Sequence, residues 1–333
     1  MIYDKINHKE LFMSTVTIVV PIYNVYNYLE RNLESLRNQT YKDIRILCIN
    51  DYSEDKSQEI VNKYVEIDDR FSSYIKPNGG LSDSRNYGLN KVETKYVMFI
   101  DSDDFVEKTM VEDCLNMIQE HNLDMVCFAY NQYYVESNKY EFISNSIKDG
   151  IYNLKDNPEI LAYTSNSAWS KMYKTSLFKD NNIEYPFGYR HQDLGTTAKL
   201  LYKANKIGYI NKPLYNYLVD RPNNITSLID NKAYHILDML IEICDYYKEQ
   251  KVFDLYHDEL KYLSEININQ SLRKIVKLKD KKFVYKMIDQ IFDFKEEYFK
   301  TSNKYVIEIS SKDKVYYDRK LCKAYYMYKR MGF

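Results

Sequence analysis

Residues 96–105 read Tyr96-Val97-Met98-Phe99-Ile100-Asp101-Ser102-Asp103-Asp104-Phe105. The first five are an unbroken apolar run, the pattern of a strand covered on both faces. Three carboxylates follow within four positions: Asp101, Asp103 and Asp104. A buried strand seldom ends in so much negative charge unless a cation, hydrogen-bond donors or open water receive it. At the carboxyl end of a parallel strand, where open α/β sheets place their ligands, a divalent metal is one natural guest. The competing expectation is a solvated acidic turn in which Asp104 caps a helix over 106–118.

Working outward, the chain before this stretch alternates strand and helix. β-branched or apolar runs at 15–20 and 44–49 predict strands, and 70–75 a weaker one. Between them, Leu29, Leu33 and Leu36 mark a helix over 28–38, and Ile60, Val61, Tyr64 and Val65 mark another. Pro77-Asn78-Gly79-Gly80 is a loop whose glycines permit positive φ or close backbone approach to a ligand, and a short helix runs from there to 91. The order β-α-β-α-β-α-β predicts a mainly parallel sheet with right-handed crossovers, an α/β fold. Asn24, Asp51 and Asp101 with Asp103 then share one sheet edge, where a doubly wound sheet binds a nucleotide. Neither GxxxxGK[ST] nor a GxGxxG after the first strand is present. A diphosphate held there needs a metal instead of a glycine cradle, which favours the metal reading of Asp103.

Beyond residue 104 the character changes. A strand over 124–130 leads into an aromatic, polar hairpin or meander at 131–142, and the single Trp stands at 169. Asp193 precedes an amphipathic helix over 194–204. It reads either as a helix cap contributing ~1 kcal/mol or as a general base facing a pocket. Short strands at 207–210 and 214–218 flank Pro213. From 227 the pattern is helical, with segments at 233–247, 255–276 and 283–292. Residues 312–330 combine seven Lys or Arg with five Tyr, which suits either an anionic membrane surface or a helix packed on its neighbours.

Composition sets the limits. A chain of 333 residues is long enough for two compact units. Lys and Arg (47) balance Asp and Glu (48), so no global field recruits nucleic acid. The 36 tyrosines suit sugar stacking as well as ordinary core and surface positions. Five scattered cysteines without a CxxC pair favour a reducing compartment. No apolar run approaches the ~18–20 residues of a membrane span, and 1–13 lacks the apolar region of a signal peptide. The expectation is a cytoplasmic protein, with peripheral contact at the inner face of the membrane through the basic C-terminus. Met13 offers an alternative start. Homodimerisation through the C-terminal helices is open, without a heptad to support it.

Five short motifs in order, Pro21-Ile22-Tyr23-Asn24, Asn50-Asp51-Tyr52-Ser53, Asn78-Gly79-Gly80-Leu81-Ser82, Arg85-Asn86 and Asp101-Ser102-Asp103-Asp104, resemble those of family 2 glycosyltransferases with the GT-A fold. The likeness continues through 169–173, Gln192-Asp193 and 213–217. The resemblance implies a GT-A sheet flanked by helices and followed by an all-α region. Its plan would be an extension (1–14), a nucleotide-sugar half (15–123), an acceptor half (124–226) and a helical C-terminal domain (227–333). It implies that Asp51 hydrogen-bonds the uracil of a UDP-sugar, with Pro21, Tyr23 and Asn24 around the base. Gly80, Arg85 and Ser102 would lie near the nucleotide and diphosphate. Asp101 and Asp103 match the DXD motif: Asp101 towards ribose and metal, Asp103 ligating Mn2+ or Mg2+, and Asp104 structural. Asp193 matches the base that deprotonates the hydroxyl of a glycan or lipid-linked glycan acceptor at the cell surface, with inversion at the anomeric centre.

The chain departs from the family pattern at three places. Asn50 stands for the usual Asp, Tyr52 for the common Gly, and Gln192 for the Glu of the usual Glu-Asp pair. Tyr52 narrows the base pocket, and the neutral Gln192 spares Asp193 a like charge and favours its ionised form. Two other functions compete. A sugar nucleotidyltransferase would need a glycine-rich, Arg-containing loop after the first strand, and 21–24 is not one. A non-catalytic nucleotide-sugar-binding or assembly subunit would have no need of Asp51, Asp101, Asp103 and Asp193 together.

Overall fold

A computed structural model describes residues 15–219, 231–275 and 278–300. The basic segment at 312–330, the loop at 220–224 and the first dozen residues lie outside the described residues. The first part is the expected alternation: β1 (Val16–Ile22), α1 (Tyr26–Arg37), β2 (Ile44–Asn50), α2 (Ser57–Ile67), β3 (Phe71–Ile75), α3 (Leu81–Asn90) and β4 (Tyr96–Phe99). β1 pairs in parallel with β2 and β4, and β2 in parallel with β3. Ile100 has left the strand proper, yet its N–H still donates to the Val19 carbonyl at 3.0 Å.

The second part adds β5 (Phe105–Val106), α4 (Met110–His121), β6 (Met125–Tyr134), β7 (Lys139–Ile143), β8 (Gly150–Tyr152), α5 (Glu159–Tyr163), β9 (Lys171–Lys174), α6 (Thr175–Lys179), α7 (Gln192–Lys203) and β10 (Ile207–Val219). One sheet runs in the order β3-β2-β1-β4-β9-β6-β10-β5, with β7 on β6 and β8 on β10. β9 lies antiparallel between β4 and β6, so the sheet is mixed at its middle. The hairpin expected at 131–142 is the β6–β7 pair.

Three local expectations give way to tertiary context. The helix after Asp104 begins only at Met110, because Phe105 and Val106 pair antiparallel with β10. Asp104 therefore caps no helix. The two strands around Pro213 are one long strand whose register against β6 shifts on either side of Pro213. A residue without an N–H cannot sustain the ladder, and a bulge absorbs it. Asp193 is not the cap of α7 but lies in its first turn, with His191 at the cap position.

Alternation along β1 divides the interior in two. Val16, Ile18, Val20 and Ile22 point to one face, where Leu29, Leu33 and Leu36 of α1 and Ile118 of α4 pack. Each buried Leu contributes about 1.5–3 kcal/mol relative to exposure. Val19, Leu47 and Phe99 point to the other face, towards α7 and the helices α8 (His235–Glu249), α9 (His257–Ile275) and α10 (Lys281–Tyr298). The helical region is thus seated on the sheet through a continuous apolar cluster. α3 lies close on β1 because Gly88 offers no Cβ; one built there would stand 2.3 Å from a Val19 methyl. No described helix is long and apolar enough to cross a membrane.

Candidate active site

The sheet brings the carboxyl ends of β1, β2 and β4 together, as parallel pairing requires. Pro21 is buried inside β1, in register with Ile49, while Tyr23 is exposed on the loop that follows. Asn24 adopts φ 50° and knits this loop to the one after β2. Its side-chain carbonyl accepts from Glu54 N at 2.9 Å, and its N–H donates to Ser53 Oγ at 3.1 Å.

Asp51 is almost wholly buried, and its carboxylate organises the glycine loop. Oδ1 accepts from Lys76 Nζ and from Gly79 N at 2.9 Å, and Oδ2 from Gly80 N at 2.7 Å. Gly80 takes φ 86°, a conformation glycine adopts without cost, as the chain enters α3. Three donors fill three of a carboxylate's roughly four acceptor positions, leaving capacity on Oδ2. Lys76 also pairs with Asp83. Sequence reading missed Lys76; the signal was a lone cation closing the third strand, directly before Pro77.

At the end of β4 the acidic residues divide. Asp101 is partly exposed, and its Oδ1 accepts from Arg85 Nη2 at 2.7 Å. Ser102 is buried and Asp103 partly exposed. Asp104 is buried: Oδ2 accepts from the Tyr215 hydroxyl at 2.6 Å and Oδ1 from Leu218 N at 2.7 Å. Tyr215 in turn stacks on Trp169 with ring centres 4.3 Å apart. Asn32, fully buried on α1, donates through Nδ2 to the carbonyls of Asp101 (3.0 Å) and Asp104 (2.9 Å). The acidic turn is therefore clamped from both sides. Asn32 was another residue missed in the sequence, a polar side chain next to Leu33 on an otherwise buried helix face.

Arg85 links this end to α7. It is 1% exposed, donates through Nη1 to Gln192 Oε1 at 3.1 Å, and lies 5.3 Å from the Tyr185 ring centre. Its charge also acts on Asp193. Burial pushes the Asp193 carboxyl above the usual carboxylate range; Arg85 opposes the shift, Asp101 adds to it and Lys171 opposes it. Gln192 keeps a like charge away, yet desolvation outweighs that benefit. Lys171 is fully buried and donates to the carbonyls of Ser165 and Ser167, each at 2.6 Å, fixing the turn before Trp169.

Among the described residues no three His, Cys, Asp or Glu side chains form a closed metal cage. Asp101 and Asp103 are both partly exposed, and one Asp101 oxygen is bound to Arg85. Carboxylate oxygens are the ligand type that Mg2+ and Mn2+ take beside phosphate and water.

The family model described as glycosyl transferase family 2 matches residues 17–187. Glycosyltransferase GlyA of Streptococcus pneumoniae serotype 4 is 34% identical over 231 residues, 67% of this chain and 33% of GlyA. Minor teichoic acid biosynthesis protein GgaB of Bacillus subtilis is 29% identical over 222 residues, 64% of this chain and 24% of GgaB. The chain thus spans a third or less of the length of these relatives. A crystal structure of S. aureus TarS 1–349 in complex with UDP-GlcNAc superimposes with a TM-score of 0.69 at 21% identity, covering 85% of this chain and 81% of that one. At that identity the likeness is one of fold, and the GT-A architecture expected from the motifs is the architecture observed. The chain belongs to glycosyl transferase family 2.

Proposed function

We propose that the enzyme moves a sugar from a UDP-sugar to a hydroxyl of a cell-surface glycan, with inversion and with Asp193 as the base. The observation that carries this reading is the buried Arg85, which joins Asp101 to Gln192, the neighbour of Asp193. One guanidinium thereby ties the carboxylate turn of the donor end to the start of the helix that bears the base. Residues 15–123 hold the donor and 124–226 the acceptor. Asp51 keeps acceptor capacity on Oδ2 for an N–H of the base, and Tyr23 and Asn24 flank it. Asp101 and Asp103 would hold Mn2+ or Mg2+; when bound, the ion offsets charge on the departing diphosphate. The complex of TarS with UDP-GlcNAc supports a uridine donor, and the name of GgaB supports a surface-polymer acceptor.

In the reaction the acceptor oxygen bonds to C1 while the bond from C1 to the diphosphate oxygen breaks. Asp193 takes the hydroxyl proton, and a base is effective when its pKa approaches the working pH. Its burial moves it in that direction. Arg85, held by Asp101 and Gln192, opposes that shift and favours the ionised carboxylate that accepts the proton. A screen of UDP-sugars with Mn2+ or Mg2+, reading UDP release with water as acceptor, tests the donor half. Release with none of them, together with no thermal stabilisation by UDP and metal, would refute it.

A further inference from the structure

Seven non-glycine residues among those described adopt a left-handed backbone: Asn24, Tyr52, Asn122, Asn138, Asn182, His191 and Lys251. Four are asparagine, which tolerates this region. Lys251 ends α8 in the usual way, its N–H bonded to the Lys248 carbonyl and that of Val252 to the Tyr247 carbonyl. Tyr52 and His191 remain, and each stands beside a site carboxylate: Tyr52 follows Asp51, and His191 lies two before Asp193. Strain without a structural return concentrates where a protein uses the displayed side chain.

Tyr52 gives the fold no visible return. It is 64% exposed and makes no hydrogen bond or ring contact with a described residue. The backbone that carries it is nevertheless held by its neighbours. Asn50 Oδ1 accepts from Ser53 N at 2.8 Å, Asn24 and Ser53 knit the two loops together, and the Asp51 carbonyl accepts from Asn78 Nδ2 at 3.0 Å. A large flat ring is thus held in solvent on a rigid turn, directly after the carboxylate assigned above to the nucleobase.

We infer that Tyr52 is a nucleotide-binding residue whose ring closes the base end of the nucleotide pocket by stacking on the base. The inference rests on the proposed role of Asp51. Stacking suits the position because it needs only the face of the ring and no hydrogen-bond partner, and Tyr52 has none to give up. A glycine there would relax the backbone and leave the base open to water on that side.

The test measures binding of UDP with Mn2+ to the full chain by calorimetry, for wild type, Tyr52→Gly and Tyr52→Phe, with CDP, GDP and ADP in parallel. Thermal unfolding without ligand is recorded for each. Because left-handed backbone favours glycine, Tyr52→Gly should melt no lower than wild type. It should weaken UDP binding about 5- to 150-fold, the range of one lost base–aromatic stack, while Tyr52→Phe stays within about twofold, since the ring is kept. Unchanged affinity in Tyr52→Gly, or equal losses in both variants, would overturn the inference. So would a Tyr52→Gly chain that melts early, since the ring would then be a packing element. Wild type that binds GDP or ADP in place of UDP would refute the uridine assignment alone, and Tyr52 is then judged by the same ratio on that nucleotide. Wild type that binds no nucleoside diphosphate overturns both.

Discussion

Asp104→Ala removes the acceptor of two buried donors, the Tyr215 hydroxyl and the Leu218 N–H. A buried donor left without a partner costs about 1–3 kcal/mol, so the two together cost about 2–6 kcal/mol. Against this, deleting the carboxyl relieves its own desolvation, which holds its pKa well above the usual range. The net expectation is a loss of about 2–4 kcal/mol. Urea unfolding at neutral pH should show a lower midpoint with an unchanged slope. Asp104→Asn keeps one carbonyl acceptor of the same shape and should lose about half as much. Tyr215→Phe keeps the stack on Trp169 and removes one donor. In the double variant Asp104→Ala/Tyr215→Phe the hydroxyl is no longer orphaned, so the losses should fall short of additive by about 1 kcal/mol. An Asp104→Ala chain within about 0.5 kcal/mol of wild type, or a strictly additive cycle, would show that this carboxylate does not anchor β10 to the acidic turn.

Asp193→Asn should lower kcat by about 10²- to 10⁴-fold with UDP binding retained, because only the proton acceptor is lost. The same variant should be at least as stable as wild type at pH 7. A carboxyl whose folded pKa is raised contributes most at low pH and loses that contribution as pH rises from its unfolded towards its folded value, so at pH 7 the acid carries a stability cost that Asn removes. A clear drop in its melting temperature would contradict this. Asp103→Asn should abolish the stabilisation by UDP with Mn2+, worth about 2.7 kcal/mol at a hundredfold excess over Kd in wild type; persistence of that shift would remove Asp103 as a ligand. Arg85→Lys cannot span Asp101 and Gln192 with one compact head group, and losing one charge-assisted bond of about 1.5–3 kcal/mol should reduce kcat by about 10- to 100-fold. A variant with unchanged kcat would show that the bridge does not serve the reaction.

Much of the first part of the chain was legible because its determinants are local. Tyr96 to Ile100 announces a buried strand by its own apolar run, and Leu29, Leu33 and Leu36 announce a helix by their spacing. The side of the sheet on which Asp51, Asp101 and Asp103 emerge follows from parallel pairing alone. Local reading failed where a partner far along the chain outbid it. Asp104 reads as a helix cap until Tyr215 and Leu218, more than a hundred residues later, become its donors. Pro213 reads as a break until β6 supplies a ladder long enough to carry a bulge.

What the sequence determined by itself is the order of strands and helices, and which carboxylates stand at strand ends, since periodicity and turn residues are properties of neighbouring positions. The tertiary structure alone decided how those carboxylates are used. Lys76 and the Gly79 and Gly80 amides converge on Asp51, Asn32 pins the acidic turn from α1, and Arg85 reaches Gln192 across 107 positions. Such assignments depend on which donors a closed core leaves facing a buried charge. No periodicity encodes that choice; it is settled only when the sheet and α7 have packed and every buried polar group must find its partner.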